Sequence, residues 1–152
     1  MSRRIIYNYL NDDELLRISN IIKEAEKKTA AEILVTIKEK RNYLEKRKSI
    51  RQLAEIEFKK SGITKTKDRT GVLIFILLSD KQFYILADKM ISEKIDQKIL
   101  DEIAEKMSNT FCSGKFSKGI IECINSLSEI LTVHFPILPD DVNEISNKVR
   151  FS

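Results

Sequence analysis

The sequence predicts an α/β fold: a three-layer α/β/α sandwich, a small mixed sheet flanked by helices on both faces in the Rossmann-like manner. Three observations carry this. Residues 72–78 (Val-Leu-Ile-Phe-Ile-Leu-Leu) form an unbroken apolar run between Gly71 and Ser79-Asp80. A strand that is apolar on both parities is covered on both faces. The order of patterns is helix, strand, helix, strand, hairpin return, then two helices, and a strand–helix–strand passage implies a parallel pair joined by a crossover. The chain has 152 residues, 42% of them hydrophobic, which suits one domain with a real core.

The first helix opens at Asn11, with Glu14 three residues on as in a capping box, and Leu15, Ile18, Ile22 and Ala25 carry it to about residue 28. The β-branched run at residues 32–37 reads as a mostly buried strand. A second helix is expected over residues 44–60, with Ile50, Leu53, Ala54 and Phe58 on its apolar side and Gly62 as its stop. The central strand turns at Ser79-Asp80-Lys81-Gln82 and returns through residues 83–87 as an antiparallel partner. If Leu78 faces Phe83, then Leu73 faces Asp88. Ser92 is expected to cap a third helix with Ile95, Ile99, Ile103 and Met107 on one face. Ser117 is expected to cap a fourth, with Ile120, Ile124, Leu127 and Leu131, ending at His134-Phe135-Pro136. These elements make one domain over residues 1–136. Residues 137–152 read as a polar C-terminal tail, extended or mobile.

Twenty-seven basic against 23 acidic residues give a net charge of +4, ordinary for a soluble protein and no nucleic-acid signature. The charge is uneven: residues 38–69 hold 12 basic and 5 acidic side chains, a net +7. Such a stretch suits phosphate or a membrane surface, through Lys46, Arg47, Lys48 and Arg51. The plainer reading is a solvated lysine-rich face, because no aromatic stripe interleaves the charges as single-strand binders require. No apolar run approaches the roughly 18 residues of a membrane span, and the first residues lack the hydrophobic core of a signal peptide. A cytoplasmic protein is expected, with Cys112 and Cys123 reduced. With His134 its only histidine, the chain has too few ligands for a zinc site, and no phosphate-loop, dinucleotide, nucleophile-elbow or zincin motif appears. His134 is expected at a helix C-terminus, where the dipole favours it.

The topology gathers Thr29, Glu32, Asp68, Arg69, Thr70 and Asp88 at one rim of the sheet. Three carboxylates, hydroxyls and backbone carbonyls are the oxygen ligands that Ca²⁺ or Mg²⁺ takes, which makes Glu32, Asp68 and Asp88 candidate metal ligands. The preferred reading of the rim is an Arg69–Asp88 ion pair over closed strand ends, because a guanidinium at the centre of a cation site repels the cation.

At these residues the chain resembles the short cytoplasmic branch of the TPM domain family. The matching pieces are residues 10–16, Thr29-Ala30-Ala31-Glu32-Ile33, Gly71-Val72-Leu73-Ile74, Ala87-Asp88, residues 111–119, His134-Phe135-Pro136 and the tail Asp140-Asp141-Val142-Asn143-Glu144. The resemblance implies an α/β/α sandwich, divalent-metal binding in some members, a proposed phosphatase activity, and a setting beside a LemA-type membrane protein and a longer TPM protein. The longer members resemble Asp-Asn-Gly-Val-Leu at the central strand and Gly-Tyr-Gly after the hairpin. This chain has Arg69-Thr70-Gly71-Val72-Leu73 and Ala87-Asp88-Lys89-Met90. Arg69 stands in place of the acid.

Three functions compete. The first is a non-catalytic cytoplasmic interaction domain, monomeric, working with membrane-associated protein partners, with Thr29, Glu32, Arg69, Thr70 and Asp88 at its binding rim. The second is a divalent-metal-dependent phosphatase using Glu32, Asp68 and Asp88. The third is a binder of acidic surfaces. The first asks least of the residues and survives the loss of the acid at position 69.

Overall fold

The computed structural model describes residues 5–63, 69–137 and 149–152. Among them a four-stranded mixed sheet runs in the order β3-β2-β1-β4. Strand β1 (Glu32–Lys38) lies parallel to β2 (Gly71–Leu77), and β3 (Gln82–Ala87) is antiparallel to β2. Strand β4 (Val149–Phe151) lies parallel to β1 on its other side, so the end of the segment read as a polar tail joins the sheet.

The two faces of β2 show why its apolar run is unbroken. Val72, Ile74 and Ile76 pack with Ile33, Val35, Ile37 and Ile85 under the larger helical layer. Leu73, Phe75 and Leu77 pack with Leu34 against Leu53, Ala54 and Phe58 on the other side. All five residues from Leu73 to Leu77 are fully buried, as a two-sided sheet requires. The layers are therefore α1 (Asp12–Glu26), α4 (Gln97–Cys112) and α5 (Phe116–His134), then the sheet, then α2 (Ile50–Lys60). A short α3 (Lys89–Ser92) joins β3 to the path into α4.

Helix α1 starts where its sequence says. The Asn11 side chain accepts the Glu14 N–H at 2.7 Å, and the Glu14 carboxylate accepts the Asn11 N–H at 3.0 Å. Both backbone donors are ones the first turn leaves without a helical partner. Helix α2 starts later than expected. Residues 43–45 make a single 3₁₀ turn, and Ser49 caps α2 in a capping box with Gln52. Ser92 lies inside α3 and caps nothing. Asp88 caps α3, and α4 begins at Gln97 with a different apolar face: Leu100, Ala104, Met107 and Phe111 are buried while Ile99 is exposed. Helix α5 begins at Phe116, one residue before the expected cap Ser117. Its Ile120, Ile124, Leu127 and Leu131 are buried, and exposed His134 is its last residue. The Phe111 and Phe116 rings meet edge to face at 4.4 Å and tie α4 to α5.

Both cysteines are free; Cys112 is exposed, and burial pushes the Cys123 thiol up to about 12, so it packs as an inert apolar group.

Candidate functional site

The rim forms where the two parallel strands begin and the hairpin ends. Glu32 pairs with Gly71, and the Glu32 N–H donates to the Thr70 carbonyl at 3.0 Å. The hairpin pairing differs by two residues from the expected one: Leu73 faces Leu86, and Ile76 faces Phe83. The loop keeps the expected four residues but begins one residue earlier, at 78–81 instead of 79–82, and closes with the Lys81 N–H on the Leu78 carbonyl at 3.1 Å and Lys81 at φ 51°. A displacement of two preserves side-chain parity, so every residue keeps its predicted face. Asp88 moves nearer to Arg69 as a result. Its N–H donates to the Gly71 carbonyl at 2.8 Å.

Arg69 and Asp88 form a two-pronged ion pair. Arg69 Nε donates to Asp88 Oδ2 at 2.6 Å and Nη2 donates to Oδ1 at 2.6 Å. Oδ1 also accepts the Lys89 N–H at 2.7 Å, so the same carboxylate caps α3. The carboxylate is buried, whereas the Arg69 side chain remains 47% exposed. Hydrogen bonding to Asp88, reinforced by its charge, raises the Arg69 pKa further. Arg69 holds φ 55°, in the left-handed region where Asp and Asn are enriched and other side chains are uncommon. That turn lets its carbonyl accept the Met90 N–H at 3.2 Å while its side chain reaches Asp88. Gly71, two residues along, has no room for a side chain: a Cβ there would stand 2.3 Å from Ile63 Cγ1.

The two threonines are tied into the fold. Thr29 Oγ1 donates to the Phe135 carbonyl at 2.5 Å, with the Leu131 carbonyl at 3.1 Å, and accepts the Ala31 N–H at 3.2 Å. It fastens the end of α5 to the entry of β1. Thr70 Oγ1 donates to the Ala30 carbonyl at 3.3 Å. Glu32 is buried at the start of β1. Asp68 lies outside the described residues, as do Asp140 and Asp141 of the tail. The rim thus brings Thr29, Glu32, Arg69, Thr70 and Asp88 to one end of the sheet. Among the described residues, no group of three or more His, Cys, Asp or Glu could hold a metal ion. A cation at Asp88 would compete with three charge-assisted or backbone hydrogen bonds already made to its two oxygens.

The basic candidates lie at the opposite end, beyond the carboxyl ends of β1 and β2. Lys46 and Arg47 are exposed in the β1–α2 loop, Lys48 is half-buried with its carbonyl held by Arg41 Nη1, and Arg51 is exposed in the first turn of α2. Sequence reasoning missed two features. Glu57, on the buried side of α2, accepts from Arg150 Nη1 at 3.1 Å and from Ser152 Oγ at 2.5 Å. An acid between Ala54 and Phe58 on a helix's apolar face was the available sign of a buried partner. Leu44, read as the start of a helix, stands out in solvent, as does Tyr43 beside it.

A model of the TPM domain matches residues 7–130. The BA42 protein of the psychrophilic bacterium Bizionia argentinensis, solved by NMR, is similar at 27% identity and TM-score 0.83, with 95% of this chain and 96% of that one covered. The N-terminal domain of a P. gingivalis protein, also solved by NMR, shares the fold at 14% identity and TM-score 0.69, covering 84% of this chain and 79% of that one. Comparison with curated proteins gives no match. Within the described residues, no helix is long and apolar enough to cross a membrane.

Proposed function

This chain belongs to the TPM domain family, and from that premise we propose that it is a non-catalytic interaction domain, cytoplasmic and monomeric, that works with membrane-associated protein partners. The observation that supports this is the Arg69–Asp88 pair. Metal-assisted phosphate hydrolysis needs a cation with an open position, held by carboxylates, to activate water and neutralise developing charge. At this rim the buried carboxylate of Asp88 is engaged by a guanidinium and a helix N–H. Like charges a few ångströms apart repel more strongly at a protein surface than in bulk water, so Arg69 opposes a divalent ion there. What the rim presents outward is the open flank of Arg69 with exposed Lys89 and Met90, a surface for a partner. Partners of the kind the family resemblance suggests are a LemA-type membrane protein and a longer TPM protein.

The alternative, a phosphatase using Ca²⁺ or Mg²⁺ at Glu32, Asp68 and Asp88, requires Asp88 to leave Arg69. Hydrolysis of a generic phosphate ester at neutral pH, with and without each ion, tests the choice. The wild type is expected to show no turnover above background. Metal-dependent turnover abolished by both Asp88→Asn and Glu32→Gln would overturn the non-catalytic reading.

A further inference from the structure

The β1–α2 loop is hydrogen-bonded at its base, basic, and apolar at its tip. Arg41 is its anchor: Nε donates to Asp80 Oδ2 at 2.8 Å, and Nη1 donates to the carbonyls of Glu45, at 2.9 Å, and Lys48. Asn42 and Glu45 close a capping box around the 3₁₀ turn, with the Asn42 N–H on Glu45 Oε1 at 3.0 Å. The loop's acids are engaged by the protein itself. Glu45 is buried and pairs with Lys38 at 3.3 Å, and Glu39 accepts the Ile6 N–H at 2.8 Å. The cations face outward: Lys40, Lys46, Arg47 and Arg51 are all exposed.

Between them, Tyr43 is 81% and Leu44 is 83% exposed, the highest values of any large hydrophobic residue among those described. The Lys46 ammonium sits 5.1 Å from the Tyr43 ring centroid, so the aromatic and the charge share one spot. The anchoring bonds hold these two side chains outside the core. Folding gains nothing from exposing them, so their placement calls for an external surface.

We infer that this loop docks the protein on an anionic lipid surface, with Tyr43 and Leu44 entering the interface and Lys40, Lys46, Arg47 and Arg51 facing the headgroup phosphates. The chemistry is complementary in both parts. Tyrosine favours the headgroup level, with its ring in the apolar boundary and its hydroxyl in water, and leucine favours the acyl region below. Each Lys or Arg near an anionic leaflet adds to the attraction. A lone aromatic beside an aliphatic tip offers no stacking platform for bases, which disfavours a single-stranded nucleic acid. The patch is an exposed tip on which basic side chains predominate, suited to a broad negative surface. Because Arg41 already fixes the loop, docking orders little chain. The inference concerns the end of the sheet opposite Arg69 and Asp88, so it stands or falls apart from the reading of the rim.

The test uses the full chain with two kinds of vesicle: phosphatidylcholine alone, and phosphatidylcholine with about a third phosphatidylglycerol. Wild-type protein should cosediment with the anionic vesicles, remain in solution with the neutral ones, and release as salt rises. Tyr43→Ser with Leu44→Ser, at unchanged charge, should weaken partitioning on the order of tenfold. Lys46→Gln with Arg47→Gln should weaken it about as much. Tyr43→Trp gives a second readout: its indole emission should move to shorter wavelength on the anionic vesicles only. Wild-type protein that ignores both vesicles overturns the inference and leaves the loop to a protein partner. Equal binding to both vesicles, or binding that the Tyr43/Leu44 double variant retains, overturns it too. So does unshifted emission from the Tyr43→Trp variant on vesicles that carry it down.

Discussion

Glu57 and Arg150 face each other across the smaller layer, the carboxylate on α2 and the guanidinium on β4, with Nη1 to Oε2 at 3.1 Å. The acid is almost wholly buried and the base about a third exposed. This pair fastens β4 to the body of the domain. Losing one partner leaves a buried charge without its counterion, whereas replacing both by apolar groups of similar size is close to neutral. Arg150→Met should therefore destabilise the domain by about 1–3 kcal/mol in urea unfolding, discounted for the exposure of the arginine. Glu57→Met combined with Arg150→Met should recover most of that loss. Equal losses in the single and double variants would show that Arg150 contributes through its stem alone.

Thr36 sits in the middle of β1, fully buried, and its hydroxyl has no hydrogen-bond partner among the described residues. A buried hydroxyl without a partner forfeits the bond it made with water. Thr36→Val keeps the branched shape and removes the polar atom. The variant should gain about 1 kcal/mol, seen as a higher urea midpoint at unchanged slope. A lower midpoint would mean that the hydroxyl is satisfied in solution.

At the rim, Arg69 occupies a backbone conformation that suits an Asp or Asn better than an Arg. Arg69→Asp is thus accommodated by the main chain. It also sets a second carboxylate against buried Asp88, and two acids at one site call for a cation. The wild type should show no saturable shift of rim amide resonances with Ca²⁺ or Mg²⁺ in NMR titrations. Arg69→Asp should acquire one, with affinity raised at least tenfold. A wild type that binds as tightly as the variant would remove the argument from Arg69.

Acid should loosen the β1–α2 loop before it unfolds the core. Hydrogen bonding from Arg41 holds the Asp80 carboxyl below its ordinary pKa, against the opposing effect of burial. For Glu45, burial alone would raise the pKa, but the Asn42 N–H and the Lys38 ammonium together outweigh it and lower it. Both groups bind protons less readily when folded, so the unfolded chain takes up more protons as pH falls. Their stabilisation is complete above the ordinary carboxylate range of about 4 and is lost as pH drops through their depressed values. Thermal midpoints measured downward from pH 6 should fall in that window, and Arg41→Met should flatten the dependence. An unchanged slope in that variant would detach the loop from the acid response.

The layers were legible because apolar periodicity is a strong signal. Ile18, Ile22, Ile120, Ile124 and Leu127 are buried where their spacing put them. The Arg69–Asp88 contact was legible because a two-residue displacement in the hairpin leaves every face unchanged. The displacement itself was hidden: the loop bends at Lys81, in a left-handed conformation that glycine ordinarily announces. The beginning of α2 was obscured by Tyr43 and Leu44, whose hydrophobicity suggests a buried face although both project into solvent. Ser49 and Gln52, a capping-box spacing, mark the true start. Strand β4 has only three residues, one of them Arg150, and its partner is more than a hundred residues away, so local pattern carries no trace of the pairing.

That last separation has a consequence in time. Val35 pairs with Val149, so as the chain leaves the ribosome β1 is finished long before the strand that covers its outer flank has been made. The buried residues of the larger core all precede β4, and Val149 and Phe151 are added at its margin. Until residues 149–151 emerge, the row of N–H and C=O groups from Val35 to Ile37 has no strand beside it, and Glu57 has no arginine. An open strand flank is a template for another chain. A chain whose larger core has closed but whose β4 has not yet docked is therefore the adhesive form, with the β1 flank open to a neighbouring copy. A lag at that point would be felt as aggregation rather than as slow folding.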